Sequence, residues 1–294
     1  MNLLVLPDDG LEAILCALRN AKKSVHLTIF RCDLRPIEKA LADAVERGVA
    51  VHALIANTNR TGARKLRVLE QRLLGAGVTV TRTADDLERY HDKLLIVDEQ
   101  KLFVLGFNFT CHELRRRRSM GVATRRRRLV SEALRLFEAD AARMSFESRA
   151  PDLVISPYNA RARLAKLLGA ARHSLRIYDP QAIDAPLLRI LKERAQAGID
   201  VRLIGRVGRA GHGLRAELPE LRPHLRAILR DDVELFIGSQ GLRGIELDRR
   251  REVGILVRDR AVISRFKHVF DQDWAASTGS AKQVREKESR EKAA

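Results

Sequence analysis

Apolar and polar residues recur along the chain in a pattern that predicts strands and helices in alternation. A short apolar run at 3–6 precedes an amphipathic segment at about 10–22, and the apolar run SVHLTIF follows at 24–30. A second amphipathic segment ends at Gly48, a residue type that commonly terminates helices, and the apolar run VAVHALI occupies 49–55. This alternation predicts β/α units and a largely parallel core sheet.

The same order of elements returns in the second part of the chain. Early matching residues lie 150 positions apart, as Pro7 and Pro157 do, whereas later ones lie 133 apart, as His91 and His224 do. The second copy is therefore the same unit with 17 fewer residues in its middle (150 − 133). Constant offsets over such distances indicate an internal duplication.

We therefore expect an α/β protein with two duplicated β/α halves, each a mixed, mostly parallel sheet flanked by helices, packed about a pseudo-twofold axis. The first half is predicted at 1–148 and the second at 149–278, with the seam around ESRAPD at 147–152. Residues 279–294 are charged and poor in apolar side chains, which predicts a disordered tail.

The net charge is far from zero, because 55 Lys and Arg residues face 38 Asp and Glu residues, which gives +17. The closing segment at 281–294 holds five basic and three acidic residues, so the body retains about +15. A charge of this size favours polyanions such as nucleic acid, anionic lipid surfaces or phosphorylated substrates.

The three cysteines are widely spaced and odd in number, which favours a reducing compartment over a disulfide framework. The N-terminus lacks the basic flank and the length of a signal peptide, and no run of 18 apolar residues occurs. We therefore expect a cytoplasmic monomer whose membrane contact, if any, is peripheral.

The segment HDKLLIVD at 91–98 places an imidazole and an ammonium two residues apart on a predicted strand, where both face the same side. Two neighbouring cations raise the free energy of the folded state unless an anion lies between them. The second copy repeats the pattern as HLRAILRD at 224–231. The shared spacing selects His91, Lys93 and Asp98 in the first copy and His224, Arg226 and Asp231 in the second.

Two such segments meeting at a pseudo-twofold axis would suit phosphodiester chemistry without a metal. One imidazole would attack phosphorus and the other would protonate the leaving oxygen, while the two cations would neutralise the non-bridging oxygens. The aspartates would fix the ring tautomers. We expect His91 to be the nucleophile, because its half retains the lysine. The other histidines lack metal-ligand spacing, so we expect no metal.

Together with Asn108 in the first copy and Gly238-Ser239 in the second, these segments resemble the HKD motifs of the phospholipase D superfamily. The family pattern is H-x-K-x4-D-x6-G-S-x-N, usually followed by a glutamate, and the resemblance covers about 3–275. It implies a phosphohistidine mechanism without metal or other cofactor, acting on phospholipid headgroups, cardiolipin-type lipids or nucleic acid. It also implies substrate-binding roles for Asn108, Ser239 and Glu252.

Each copy departs from the family pattern at different positions. The first copy has Leu105-Gly106 at the Gly-Ser step and Ser119 at the glutamate position. The second copy has Arg226 for lysine and Gly241 for asparagine. These losses are complementary, so they put rate and substrate in question more than the reaction class.

Three functions fit these observations. The first is a phosphodiesterase acting on phospholipids, by hydrolysis or headgroup transfer, with an anionic phosphodiester as its partner. The second is an endonuclease of the same superfamily cleaving DNA or RNA, favoured by the net charge but disfavoured by the 4% aromatic content, since stacking platforms are scarce. The third is a weakly active homologue that binds anions or lipids. Two arginine runs, at 115–118 and 125–128, form either a solvated face or an anion-attracting rim.

Overall fold

The computed structural model describes residues 1–57, 63–219 and 221–293, apart from the side chains of Ala63 and of residues 279–293. In the first half, the strands are β1 (Asn2–Leu6), β2 (Ser24–Ile29), β3 (Ala50–Ile55), β4 (Thr79–Arg82), β5 (Arg89–Tyr90), β6 (Leu94–Val97), β7 (Lys101–Leu105) and β8 (Ser119–Thr124). The helices are α1 (Glu12–Arg19), α2 (Arg35–Glu46), α3 (Ala63–Gly75), α4 (Cys111–Arg116) and α5 (Arg127–Ala142).

The second half repeats this order in a shorter form. Its strands are β9 (Leu153–Ser156), β10 (Ser174–Ala182), β11 (Asp200–Val207), β12 (Ala216–Glu217), β13 (Arg226–Arg230), β14 (Glu234–Gly238) and β15 (Arg250–Val257). Its helices are α6 (Ala160–Gly169), α7 (Ala185–Gln196), α8 (Gly244–Asp248) and α9 (Arg260–Ala293).

The shorter middle of the second half has a structural cause. In the first half, α3 and β4 follow β3, whereas the second half has a single 3-10 turn at Arg209–Gly211 and the two-residue strand β12. Helix α3 is not among the elements predicted from the sequence. Leu66, Leu69 and Leu73 nevertheless recur at helical spacing along it, and all three are buried.

The strands form two mixed sheets, in the orders β1-β8-β7-β6-β2-β3-β4 and β12-β11-β10-β13-β14-β15-β5, with β9 paired to β15. The predicted α/β class with two sheets flanked by helices is confirmed. Parallel pairing is narrower than predicted, because it is found within β2–β3–β4, within β10–β11–β12 and between β5 and β15. The hairpins β6–β7 and β13–β14 reverse the chain, so the neighbouring strands are antiparallel.

A buried apolar cluster shared by the two halves holds the sheets together. On β6, Leu94 and Ile96 point into this shared cluster, whereas Leu95 and Val97 point into the core of the first half. Leu229 and Ile255 reach the shared cluster from the second half. Strand β6 is therefore buried on both faces, which fixes its register and positions the residues at its two ends.

Helix α9 closes the second half by packing Phe266, Phe270 and Trp274 into the shared cluster. Its backbone continues as helix to Ala293, through the segment for which the sequence predicts disorder. The domain boundaries at 148 and 278 and the disordered tail stay predictions.

Two buried arginines connect the halves in opposite directions. Arg118 of the first half donates to the carboxylate of Asp273 at 2.9 and 3.0 Å. Arg251 of the second half donates to Asp140 of the first half at 3.0 Å. Both residues of each pair differ by 133 from those of the other (251 − 118; 273 − 140), so one contact is made twice about the pseudo-twofold axis.

The two aspartates of the repeated motif hold backbone turns. Asp98 adopts the left-handed conformation (φ 53°), and its carboxylate accepts hydrogen bonds from the backbone N–H groups of residues 22–24. Asp231 (φ 52°) does the same for residues 172–174. Because Asp98 follows β6 while His91 precedes it, roughly 20 Å of chain separates them. This corrects the expectation that the aspartates fix the tautomers of the histidine rings.

Replacing Arg118 should destabilise the fold strongly, because Asp273 would remain as a buried carboxylate without its cation. For Arg118→Met we expect a loss of about 3–5 kcal/mol in the free energy of unfolding, measured by urea denaturation. The exposed Arg116→Met should change it by less than about 0.5 kcal/mol. Equal stability of the two variants would contradict the cross-half role of Arg118.

Removing the charge of Asp98 should cost stability in a pH-dependent way. Although burial raises it, the backbone N–H groups hold the pKa of Asp98 below its ordinary 3.8. The stabilisation is therefore present above that pH and is lost as pH falls through the lowered pKa. Asp98→Asn should lower the free energy of unfolding by about 1–2 kcal/mol at pH 7, and the difference should shrink in acid.

The same variant separates a structural role from a catalytic one. We expect Asp98→Asn to keep its turnover within a few-fold of the parent, whereas a ring-orienting carboxylate would lower turnover by orders of magnitude. The exposed Glu138→Ala on α5 serves as the stability control.

Candidate active site

His91 and Lys93 lie just before β6, and His224 and Arg226 lie at the start of β13. The two segments occupy equivalent places in the two halves. The starts of β6 and β13 are buried where the two halves meet. The charges of Lys93 and Arg226 act on His91, and the charges of Arg226 and Lys93 act on His224. The structure therefore brings both histidines and both cations of the motif into one site.

The ring of His91 is oriented by a carboxylate from the other half. Its Nδ1 lies 2.9 Å from Oε2 of Glu252 on β15, which is completely buried. Its ring also packs edge-on against Phe30, with centroids 4.6 Å apart. A backbone hydrogen bond of 2.8 Å from His91 N to the carbonyl of Arg251 fixes the segment. These contacts leave Nε2 as the ring nitrogen available to a substrate.

The protonation of His91 follows from its surroundings. Oε2 of Glu252 lies 2.9 Å from Nδ1, and since a carboxylate only accepts hydrogen bonds, Nδ1–H donates to Glu252. Burial, followed by the charges of Lys93 and Arg226, lowers the pKa of His91 well below its ordinary value. The ring is therefore neutral at pH 7, with a lone pair on Nε2.

Lys93 is 3% exposed and donates to the carbonyl of His91. Burial lowers the pKa of Lys93 to about 8, although Glu252 opposes the shift. Arg226 repeats this arrangement, because it donates to the carbonyl of His224 at 2.9 Å and to Glu246 at 2.9 Å. Each motif cation thus bonds the carbonyl of its own histidine.

His224 is held less tightly than His91. Its Nδ1 lies 3.4 Å from Oε2 of Glu113, without the alignment of a hydrogen bond. Its side chain is 27% exposed, against 11% for His91. Burial, then the charges of Arg226 and Lys93, lowers the pKa of His224 well below its ordinary value. The two histidines therefore differ in exposure and in how closely a carboxylate holds them.

The residues expected to bind substrate have distinct places. Asn108 is buried, donates from Nδ2 to Glu113 at 2.7 Å, and has an unpartnered Oδ1. Ser239 donates to the backbone carbonyl of Val253 and accepts from its N–H. Ser239 therefore holds the backbone of β15 next to Glu252, whose carboxylate orients His91.

The missing asparagine of the second copy is explained by a residue that sequence reasoning missed. A Cβ at Gly241 would lie 2.4 Å from Oδ2 of Asp179 and 2.7 Å from Cγ of Arg226. Asp179 is buried and accepts from the backbone N of Leu242, and burial, followed by Glu246, raises its pKa to about 6. The second half therefore fills this position with an aspartate from β10.

Two further glutamates were missed and could have been found from the repeat. Glu113 and Glu246 lie 133 apart (246 − 113), and each accepts a hydrogen bond from the backbone N–H at the asparagine position, Asn108 or Gly241. Glu246 pairs with Arg226 of its own half. Glu113 acts on Lys93 of its own half and lies 3.4 Å from His224 of the other half. The offset of 133 was the available signal.

The arginine runs separate into different environments. Arg118 is buried, whereas Arg115 and Arg116 are exposed on α4, within one turn of Glu113. The run at 125–128 is exposed and follows β8 at the end opposite Ser119. Only the exposed part of the first run lies beside the site.

In the described ranges, no group of three or more His, Cys, Asp or Glu side chains is arranged to hold a metal ion. The absence of a metal and a cofactor stays a prediction. None of the described helices is long and apolar enough to cross a membrane.

Comparison with solved structures finds the same fold. Polyphosphate kinase from Porphyromonas gingivalis superposes with a TM-score of 0.75 at 17% identity, covering 92% of this chain and 49% of that one. This chain thus spans about half of that kinase. Phosphatidylserine synthase from Haemophilus influenzae Rd KW20 gives 0.72 at 12% identity, over 94% of this chain and 86% of that one. Nuc from Salmonella typhimurium, a phospholipase D family member, gives 0.43 at 24% identity over 51% and 99%.

Comparison with curated protein sequences gives no significant match. Residues 14–141, within the first half, match the family model described as cardiolipin synthase, PLD-like domain. This match agrees with the repeated motif, the duplicated sheets and the superposed folds. The predicted resemblance to the phospholipase D superfamily is thereby confirmed.

Proposed function

We propose that this protein is a phosphodiester-cleaving enzyme that acts on phospholipids through a phosphohistidine intermediate. The observation that carries the proposal is the composite site, in which a neutral His91, oriented by Glu252, meets His224 and two buried cations. Both hydrolysis and headgroup transfer to an alcohol would follow from the same intermediate.

In the first step, Nε2 of His91 attacks phosphorus and the bond from phosphorus to the leaving oxygen breaks. His224 donates a proton to that oxygen. The bound anion screens the charges of Lys93 and Arg226 from His224, so it favours the protonated form of His224 that this step needs.

In the second step, His224 takes a proton from water or an alcohol, whose oxygen attacks phosphorus and breaks the bond to His91 Nε2. Lys93 and Arg226 hold the non-bridging oxygens through both steps, because Arg226 is already held by buried Glu246 and Lys93 by the carbonyl of His91. Preorganised charge of this kind costs no rearrangement during the reaction.

Phospholipid is favoured by two considerations. The matching family model carries the description of a cardiolipin synthase domain, and the phosphatidylserine synthase shares the fold over most of its length. The exposed Arg115 and Arg116 beside Glu113 would also attract an anionic membrane to the site. A peripheral membrane contact through α4 is part of this proposal.

A nuclease is the second candidate, because the net charge of +17 favours nucleic acid directly. It requires the same two histidines. Substrate turnover, rather than site geometry, separates the two candidates.

An assay panel tests the proposal with phosphatidylglycerol, phosphatidylcholine, single-stranded DNA and duplex DNA, each with EDTA. We expect phospholipid turnover that persists in EDTA and falls by at least ~100-fold in His91→Asn and His224→Asn. His173→Asn, in the exposed turn held by Asp231, should have the same turnover as the parent protein. Turnover of DNA without lipid would replace the leading proposal with the second candidate, and full activity of both site variants would refute the site.

The pH profile should report Lys93. The lysine must be charged to hold the phosphoryl oxygens, so kcat/KM should fall as pH rises through about 8, the pKa of Lys93 in the free protein. Lys93→Arg should remove this alkaline limb, because a guanidinium stays charged. Lys22→Arg, in the exposed turn held by Asp98, should leave the alkaline limb in place. An alkaline limb unchanged in Lys93→Arg would show that another group is responsible.

A further inference from the structure

Three cationic side chains lie near the ring of Phe30, which also contacts His91. The guanidinium of Arg89 lies 5.1 Å from the ring centroid, that of Arg31 lies 5.4 Å away, and Nζ of Lys93 lies 5.8 Å away. The His91 ring packs against the same phenyl group. Arg31 and Arg89 therefore extend the positively charged surface of the site beyond the motif residues.

A third arginine joins this group from the other half. Strands β5 and β15 pair in parallel with Arg89 directly opposite Arg250. Like charges facing each other across a sheet are destabilising. Arg250 lies two residues before Glu252, so it shares the face that contacts His91, roughly 7 Å along the strand.

The three arginines lack a matching set of carboxylates. Among the described residues, neither Arg31 nor Arg89 has a carboxylate within ion-pairing distance, and Arg250 is 3.9 Å from Glu246, which also serves Arg226. Nε of Arg250 is buried without a hydrogen-bond partner. Burial, followed by the charges of Arg250 and Arg31, lowers the pKa of Arg89. The cluster thus carries positive charge that the fold itself does not neutralise.

We propose that Arg31, Arg89 and Arg250 form a second anion subsite, which binds a further phosphoryl group of the phospholipid substrate beside the phosphodiester attacked by His91. This rests on the proposed function and narrows it to lipids with two phosphoryl groups. Guanidinium groups bind phosphoryl oxygens bidentately. The cluster is complete only when both halves are folded together, as the catalytic pair is.

Kinetics on a matched pair of lipids test the subsite. Phosphatidylglycerol has one phosphoryl group, and phosphatidylglycerol phosphate has a second at the end of its headgroup. Arg31→Gln and Arg89→Gln should raise KM for the doubly phosphorylated lipid by ~10-fold with little change in kcat, and should leave the singly phosphorylated lipid within about twofold. Arg172→Gln removes the same charge from the exposed turn held by Asp231. It should leave KM for both lipids unchanged.

Equal effects on both lipids, or no effect on either, would overturn the subsite. A selective effect on a 5′-phosphorylated dinucleotide, with none on the lipid pair, would overturn the assignment to lipid. If the parent turns over neither lipid, the proposed function fails rather than the subsite.

Binding of inorganic probes tests the subsite without turnover. By calorimetric titration, pyrophosphate should bind the full-length protein at least ~10-fold more tightly than inorganic phosphate. This preference should disappear in Arg31→Gln/Arg89→Gln and persist in Arg172→Gln. Equal affinity for the two anions, or a preference unchanged in the double variant, would contradict a second anion subsite.

Discussion

Burying four basic groups in one cleft is the constraint on which the rest of the structure depends. The charges of Lys93 and Arg226 repel each other and keep His91 and His224 in their neutral forms, and burial of unpaired charge is costly. Buried glutamates offset this cost, and the one on His91 comes from the opposite half. The halves must therefore fold against each other for His91 to gain its carboxylate, and the reciprocal Arg118 and Arg251 contacts hold them in that arrangement.

The duplicated halves have diverged within this common frame. The histidine of the first half, His91, is held by Glu252, Phe30 and Lys93. The second half keeps its histidine more open and fills the asparagine position with Asp179. The departure at Gly241 has a structural cause, because Asp179 and Arg226 occupy the space that an asparagine side chain would take.

Much of the fold follows from the sequence, because hydrophobic periodicity reports which face of an element is buried. The site was predictable only in part. The linear spacing of the motif put Asp98 with His91, but a strand of four residues separates them, so spacing alone misassigned the aspartate. The arginine run at 115–118 shows the same limit, since only the tertiary structure distinguishes buried Arg118 from exposed Arg116. Glu113 and Glu246 were visible in the repeat offset, yet α4 and α8 were needed to give them a role.

The central claim is that one composite site uses His91 as the nucleophile and His224 as the proton carrier. The most direct measurement is to mix His224→Asn with a phospholipid bearing a radiolabelled phosphoryl group, quench under alkaline conditions and map the labelled peptide by mass spectrometry. Label on the peptide that contains His91, absent in His91→Asn, is the result expected here. Label on the second-half peptide in the parent protein, or turnover without any labelled histidine, would contradict it.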